Sequence, residues 1–119
     1  MKDFRDLQIW QRSHALTLKI YGATANFPKE ERFGLISQMR RSASSVPTNI
    51  AEGSGRNGDA DFARFLQIAM GSASELEYQL ILSRDLTYLP IELFESLSQE
   101  LFEIKRMLSA FLTKLRANG

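Results

Sequence analysis

Residues 38–53 read Q-M-R-R-S-A-S-S-V-P-T-N-I-A-E-G, and this stretch decides the fold. Apolar side chains recur at helical spacing on both sides of Pro47, namely Ile36, Met39, Ala43, Val46 and Ile50. Proline removes one backbone donor, so we expect it to bend the helix without ending it. We expect serine hydroxyls one turn earlier to satisfy the freed carbonyl, and Gly53 to end the helix as a left-handed cap. The stretch therefore predicts the inner helix of a bundle.

The opening stretch belongs to the second of four predicted helices, and the other three carry the same apolar spacing. The first helix is predicted over residues 6–25, with a buried seam at Ile9, Ser13, Leu16, Ile20, Ala23 and Phe27. The second is predicted from Glu31 or Gly34 to Glu52, and the third from residue 59 to about Leu86. The third has its seam at Phe62, Leu66, Ala69, Ala73, Leu76 and Leu80. The fourth, with Pro90 at its first position, has its seam at Phe94, Leu97, Leu101, Ile104, Leu108, Phe111 and Leu115.

No segment alternates with a period of two, and no internal repeat occurs, so the pattern excludes a sheet. Four long helices with short connections predict an all-α, antiparallel, up-down four-helix bundle. The length of 119 residues fits one domain, which we assign to residues 1–119.

Composition removes several classes of function. The chain has no cysteine, which excludes disulfides and thiol catalysis. Apolar runs are too short to span a membrane, and the first residues do not resemble a signal peptide, so we expect a cytoplasmic protein. The net charge of +1 predicts no particular partner, but the charges are segregated along the chain.

Two patterns that imitate catalytic or cofactor sites are better explained by structure. Residues 53–58 match G-x-G-x-x-G, but they follow a helix rather than a strand, so we interpret them as a flexible connection. His14 is the sole histidine, and a di-iron bundle would need a Glu-x-x-His motif on each of two helices. We expect Glu75 to pair with Arg40 or Arg41 rather than bind metal. No catalytic residue, metal or cofactor is therefore expected, and we predict no enzyme.

The same residues carry a resemblance to a known family. Residues 27–35 (F-P-x-E-E-R-F-G-L), the opening stretch, residues 53–56 (G-x-G-R) and residues 62–77 (F-x-R-F-L-x-I-A-x-G-S-x-x-E-L-E) resemble the proteins encoded in intervening sequences of bacterial 23S rRNA, also called the S23 ribosomal family. The resemblance implies a four-helix bundle that assembles into a ring-shaped homopentamer. It also implies similarity to the accessory variability determinant of diversity-generating retroelements, a basic bundle that binds nucleic acid.

Cationic side chains are the remaining chemical feature, and by this analogy we expect them to bind RNA phosphates. The predicted contact residues are Arg5, Arg12, Lys19, Lys105, Arg106, Lys114 and Arg116. On a single chain the same cations also fit an ordinary solvated face. No aromatic residues are interleaved with them as a stacking platform would need, so we expect weak sequence preference.

A second apolar face on the first helix lies nearly opposite its seam. It predicts an oligomer interface through Leu7, His14, Leu18 and Tyr21. The predicted function is thus a non-enzymatic, oligomeric bundle that binds RNA. The alternative is an oligomeric scaffold that binds a protein partner without nucleic acid.

Overall fold

The computed structural model describes residues 3–118, and these form four α-helices with no strand among them. The helices are α1 (Gln8–Thr24), α2 (Leu35–Ser54), α3 (Asp59–Asp85) and α4 (Ile91–Asn118). Short 3₁₀ turns at Phe4–Asp6 and Lys29–Glu31 precede α1 and α2. Each helix packs on its neighbour in the chain, and α4 also packs on α1. The predicted four-helix bundle is confirmed, with principal dimensions of 45 × 23 × 20 Å.

The core contains the seams that the helical spacing predicted. All four helices contribute large apolar side chains that are almost fully buried, including Ile20, Met39, Ile50, Leu66, Leu80, Leu101 and Leu108. Residues at the edges of the seams, such as Ala23, Phe62 and Phe111, are partly buried against this core. Burial of each large side chain contributes about 1.5–3 kcal/mol. The apolar periodicity therefore accounts for which face of each helix turns inward.

Helix α2 continues through Pro47, as predicted, although the residue has no N–H to donate. The carbonyl four residues earlier belongs to Ala43, and the Thr17 hydroxyl of α1 lies 3.1 Å from it. The same hydroxyl lies 2.8 Å from the Ser13 carbonyl of its own helix, so its one proton is shared. The prediction that a serine would satisfy this carbonyl is wrong. The partner comes from another helix, where sequence spacing could not identify it.

Arg40 makes a second link between α1 and α2. Its guanidinium donates to the Thr24 hydroxyl (2.9 Å) and to the Tyr21 carbonyl (3.2 Å) in the last turn of α1. It also lies 4.6 Å from the centre of the Tyr21 ring. The predicted pairing of Arg40 with Glu75 is therefore wrong, because Arg40 points toward α1. Glu75 is exposed and lines a groove with Arg41, without an ion pair among residues 3–118.

Gly53 lies inside α2 and not at a left-handed cap, so that prediction is also wrong. The helix ends at Ser54, and the following Gly55 keeps right-handed geometry at φ −88°. A Cβ atom added at Gly53 would lie 2.7 Å from the Phe65 Cβ and 2.9 Å from the Phe62 ring. Gly53 is therefore required by the close approach of α3. The positive φ of this connection, 95°, occurs at Gly58.

Helix α3 ends in a Schellman motif. The Tyr88 N–H donates to the Ser83 carbonyl and the Thr87 N–H to the Arg84 carbonyl, both at 2.9 Å. Thr87 occupies the left-handed position with φ 64°, where glycine is usual. Helix α4 begins at Ile91, so Pro90 lies immediately before the helix and not at its first position as predicted. The Pro90 carbonyl accepts a hydrogen bond from the Phe94 N–H. These ends fix where α4 starts along the bundle.

The link between Thr17 and Pro47 predicts a coupled effect on stability. Thr17→Val keeps the side-chain shape but leaves the Ala43 carbonyl unsatisfied, which should lower the free energy of unfolding by about 1–2 kcal/mol. Pro47→Ala restores a backbone N–H for that carbonyl, so Thr17→Val should cost less than half as much in that background. Urea unfolding of the four proteins, followed by circular dichroism, measures this difference.

Thr113→Val is the matched control for this cycle. The Thr113 hydroxyl donates to the Ser109 carbonyl on the exposed side of α4. Removing this hydroxyl should change the free energy of unfolding by less than about 0.5 kcal/mol, as is usual for surface substitutions. An equal loss from Thr17→Val with and without Pro47 would contradict the assigned role of the hydroxyl.

Candidate nucleic-acid interface

The seven predicted phosphate-binding residues differ in their partners. Four of them form ion pairs on the surface, namely Arg5 with Asp3 (2.6 Å), Lys19 with Glu100 (2.8 Å), Lys105 with Glu77 (2.7 Å) and Arg106 with Glu103 (2.8 Å). The other three, Arg12, Lys114 and Arg116, form no ion pair within residues 3–118. Lys114 and Arg116 are also exposed. These two cations are the most accessible to a phosphate.

Asp3 and Arg5 form an exposed ion pair that several hydrogen bonds reinforce. The Arg5 side chain donates to both Asp3 carboxylate oxygens, and the Arg5 backbone N–H donates at 3.0 Å. These hydrogen bonds, the side-chain bonds first, lower the pKa of Asp3 to about 2, and they raise the pKa of Arg5. Asp3 therefore stays ionised at neutral pH, and Arg5 adds little net charge to its surroundings.

The antiparallel fold brings the start of α1 beside the end of α4. A groove of about 360 Å³ there is lined by residues 7–9 of the first segment and by Arg106, Met107, Ala110, Phe111 and Lys114 of α4. Lys19 lies farther along α1, where it is held by Glu100. The structure thus groups Arg106 and Lys114 with the start of α1, and it places Lys19 toward the other end of the bundle.

Charge is polarised along the bundle axis. The half containing residues 3–14, 45–72 and 105–118, here called the basic half, carries eight Lys/Arg and five Asp/Glu. The half containing residues 15–44 and 73–104, here called the acidic half, carries six Lys/Arg and nine Asp/Glu. A polyanion is attracted to the first and repelled by the second. Six of the seven predicted phosphate contacts lie in the basic half, and Lys19 is the exception.

A cluster of aromatic rings lies beside one of these cations, Arg5, where the sequence predicted no stacking platform. The Phe4 and Trp10 rings meet edge to face at 5.1 Å, and Trp10 and His14 stack in parallel at 4.9 Å. The Arg5 guanidinium lies 6.0 Å from the centre of the Phe4 ring. These rings line a groove of about 410 Å³ between α1 and α2, here called the aromatic groove. The four-residue spacing of Trp10 and His14 was the signal that could have identified it.

Three of the four residues predicted for an oligomer interface, His14, Leu18 and Tyr21, lie on one exposed face of α1, and Leu7 lies outside the helix. Leu18 is 60% exposed on the outer side of α1. Leu7 precedes α1 in extended geometry (φ −79°, ψ 126°), so helical spacing does not place it, and it packs partly against the core. His14 lies against Trp10, and Tyr21 lies under Arg40. Leu18 leaves the most apolar surface uncovered, and Tyr21 is still 45% exposed.

Within residues 3–118, no three His, Asp or Glu side chains are grouped as a metal site would require. The first two G-x-G-x-x-G residues end α2, and residues 55–58 connect it to α3. Arg56 in this connection pairs with Glu52 at 2.8 Å. No helix in the described part of the chain has the length and apolar character needed to cross a membrane.

Comparisons with known proteins agree with this architecture. The model of the 23S rRNA-intervening sequence protein family matches residues 5–110. A crystal structure of a protein of unknown function from the S23 ribosomal protein family of Bacteroides thetaiotaomicron is similar, with a TM-score of 0.79 and 29% identity. The match covers 87% of this chain and 97% of that one. No curated protein matches.

Proposed function

This chain belongs to the 23S rRNA-intervening sequence protein family, and from that premise we propose that it is a non-enzymatic bundle that binds structured RNA in the cytoplasm. The contacts are made with phosphates rather than base edges, so they position the RNA without reading most of its sequence. The similarity to the accessory variability determinant remains an expectation from the sequence. The charge on the surface of this molecule supports the proposal.

The main support for RNA binding is the excess of Lys and Arg over Asp and Glu in the basic half. The exposed Lys114 and Arg116 lie in the basic half without an ion pair among the described residues. Arg106 and Lys114 line the groove beside the start of α1. Exposed ion pairs are worth only about 0.2–1 kcal/mol, so Arg106 can exchange its carboxylate for a phosphate at small cost. In an oligomer each of these positions is repeated, which multiplies the attraction.

A protein scaffold is the second candidate, and one surface favours it. A groove of about 620 Å³ between α3 and α4 is lined by Met70, Phe102 and Ala110 together with the side chains of Lys105 and Arg106. Phe102 is 59% exposed beside it. An apolar groove of this kind is typical of protein contacts. It lies next to the same cations, so the two candidates are separated by a direct test of RNA binding.

The salt dependence of RNA binding tests the proposal. The double variant Lys114→Gln, Arg116→Gln removes two cations from the basic half. Each lost phosphate contact should reduce the slope of log K against log[salt] by roughly 0.7–0.9, so the slope should fall by about 1.5. Fluorescence titration of a labelled hairpin RNA over a salt series measures the slope.

The double variant Lys29→Gln, Arg32→Gln is the matched control. It removes the same charge from exposed positions in the acidic half, so its slope should equal that of the wild type. Equal slopes for all three proteins would show that the end of α4 makes no phosphate contact. No binding at low salt would contradict RNA binding and favour the scaffold.

We also propose that the bundle forms a closed homo-oligomer, most simply the pentamer that the family resemblance implies. A ring uses two different patches of each subunit, one of which we assign to the outer face of α1 around Leu18. Leu18→Glu should lower the mass measured by light scattering and leave helix content unchanged. Gln67→Glu, which adds the same charge at an exposed site of α3, should leave the mass unchanged. A wild-type protein with the 13.5 kDa mass of one chain at high concentration would contradict the ring.

A further inference from the structure

We infer that the aromatic groove between α1 and α2 binds one unpaired base of the RNA by stacking. This inference rests on the proposed RNA binding and assigns to this groove the part of the RNA that phosphate contacts do not hold. Six of the eight residues that line the groove lie in the basic half, and Thr17 and Ser44 lie just beyond its boundary. An RNA attracted to the basic half therefore passes beside the groove. Its lining residues come from both helices.

The size and the lining of the groove suit a planar ring. Phe4, Trp10 and His14 line it from the α1 side, while Pro47, Thr48 and Ala51 line it from α2. Its volume of about 410 Å³ falls within the ~300–1,000 Å³ range of small-molecule sites. Trp10 is half-buried and His14 is exposed, so the stack of rings is open to solvent. An incoming base extends a stack that already contains two parallel rings.

Polar atoms on the α2 side suit the edge of a base. The Ser44 hydroxyl donates to the Arg41 carbonyl, and the Thr48 hydroxyl donates to the Ser44 carbonyl. Both hydroxyl protons are therefore used within α2, which leaves oxygen lone pairs to accept from a ligand. Exocyclic amino groups of bases are donors of the kind that such oxygens accept.

Charge complementarity selects nucleic acid over an apolar peptide as the occupant. The basic half, with eight Lys/Arg against five Asp/Glu, attracts the phosphates on either side of a bound base. In a duplex the bases are paired and stacked internally, so a base from a loop, bulge or end is required. The site therefore takes an unpaired nucleotide within an otherwise structured RNA.

Tryptophan fluorescence reports on this site alone, because Trp10 is the sole tryptophan of the chain. The probe is a labelled hairpin RNA with an adenosine loop, compared with the same hairpin carrying an abasic loop. The two have equal phosphates, and anisotropy of the label measures their binding independently of Trp10. The adenosine loop should quench Trp10 and bind about 5-fold to 150-fold more tightly than the abasic loop.

A pair of variants assigns the effect to the groove. His14→Ala should weaken binding of the adenosine loop and leave the abasic loop unchanged, and the exposed position keeps this change out of the core. Phe33→Ala, at a ring that is 89% exposed outside the groove, should alter neither. Equal binding of the two hairpins without quenching would overturn base stacking and leave the proposed phosphate binding intact. Failure of both hairpins to bind would overturn the proposed function together with this inference.

Discussion

The missing backbone donor at Pro47 is the constraint on which the rest of the structure depends. An interior proline leaves a carbonyl unpaired, and an unsatisfied group of this kind costs about 1–3 kcal/mol when buried. Here the group is the Ala43 carbonyl, and the Thr17 hydroxyl of α1 approaches it. The repair comes from another helix, so it fixes the register of α1 on α2. Arg40 holds the same register nearer the end of α1.

That register also determines the two surfaces to which we assign RNA. Thr17 and Pro47 are buried and line the aromatic groove, so the interaction that holds α1 on α2 also shapes that groove. The ion pairs of Lys19 with Glu100 and of Lys105 with Glu77 tie α4 to α1 and α3. Part of the charge is therefore structural, whereas Lys114 and Arg116 of the basic half are exposed and form no ion pair among residues 3–118. Neighbouring helices run antiparallel, which largely cancels their dipoles, so side chains set this polarity.

Sequence reasoning found the features that depend on one helix at a time. Apolar spacing identified the buried face of every helix, because exclusion of water acts on each amphipathic helix separately. It missed features that need the register between helices, such as Thr17 beside Ala43 and Phe65 against Gly53. The face of Leu7 was missed for a local reason, because the residue precedes the helix. In the candidate site, the sequence identified the cations but neither their ion pairs nor the rings beside them.

Photocrosslinking of bound RNA, followed by mass spectrometry of the linked peptides, tests the central claim most directly. The claim is that RNA contacts the basic half of the bundle where α1 begins and α4 ends. We expect crosslinks concentrated in residues 3–14 and 105–118, with further links at the α2 wall of the aromatic groove. Crosslinks concentrated in residues 15–40 or 73–104, or no crosslink under conditions where RNA is bound, would contradict it.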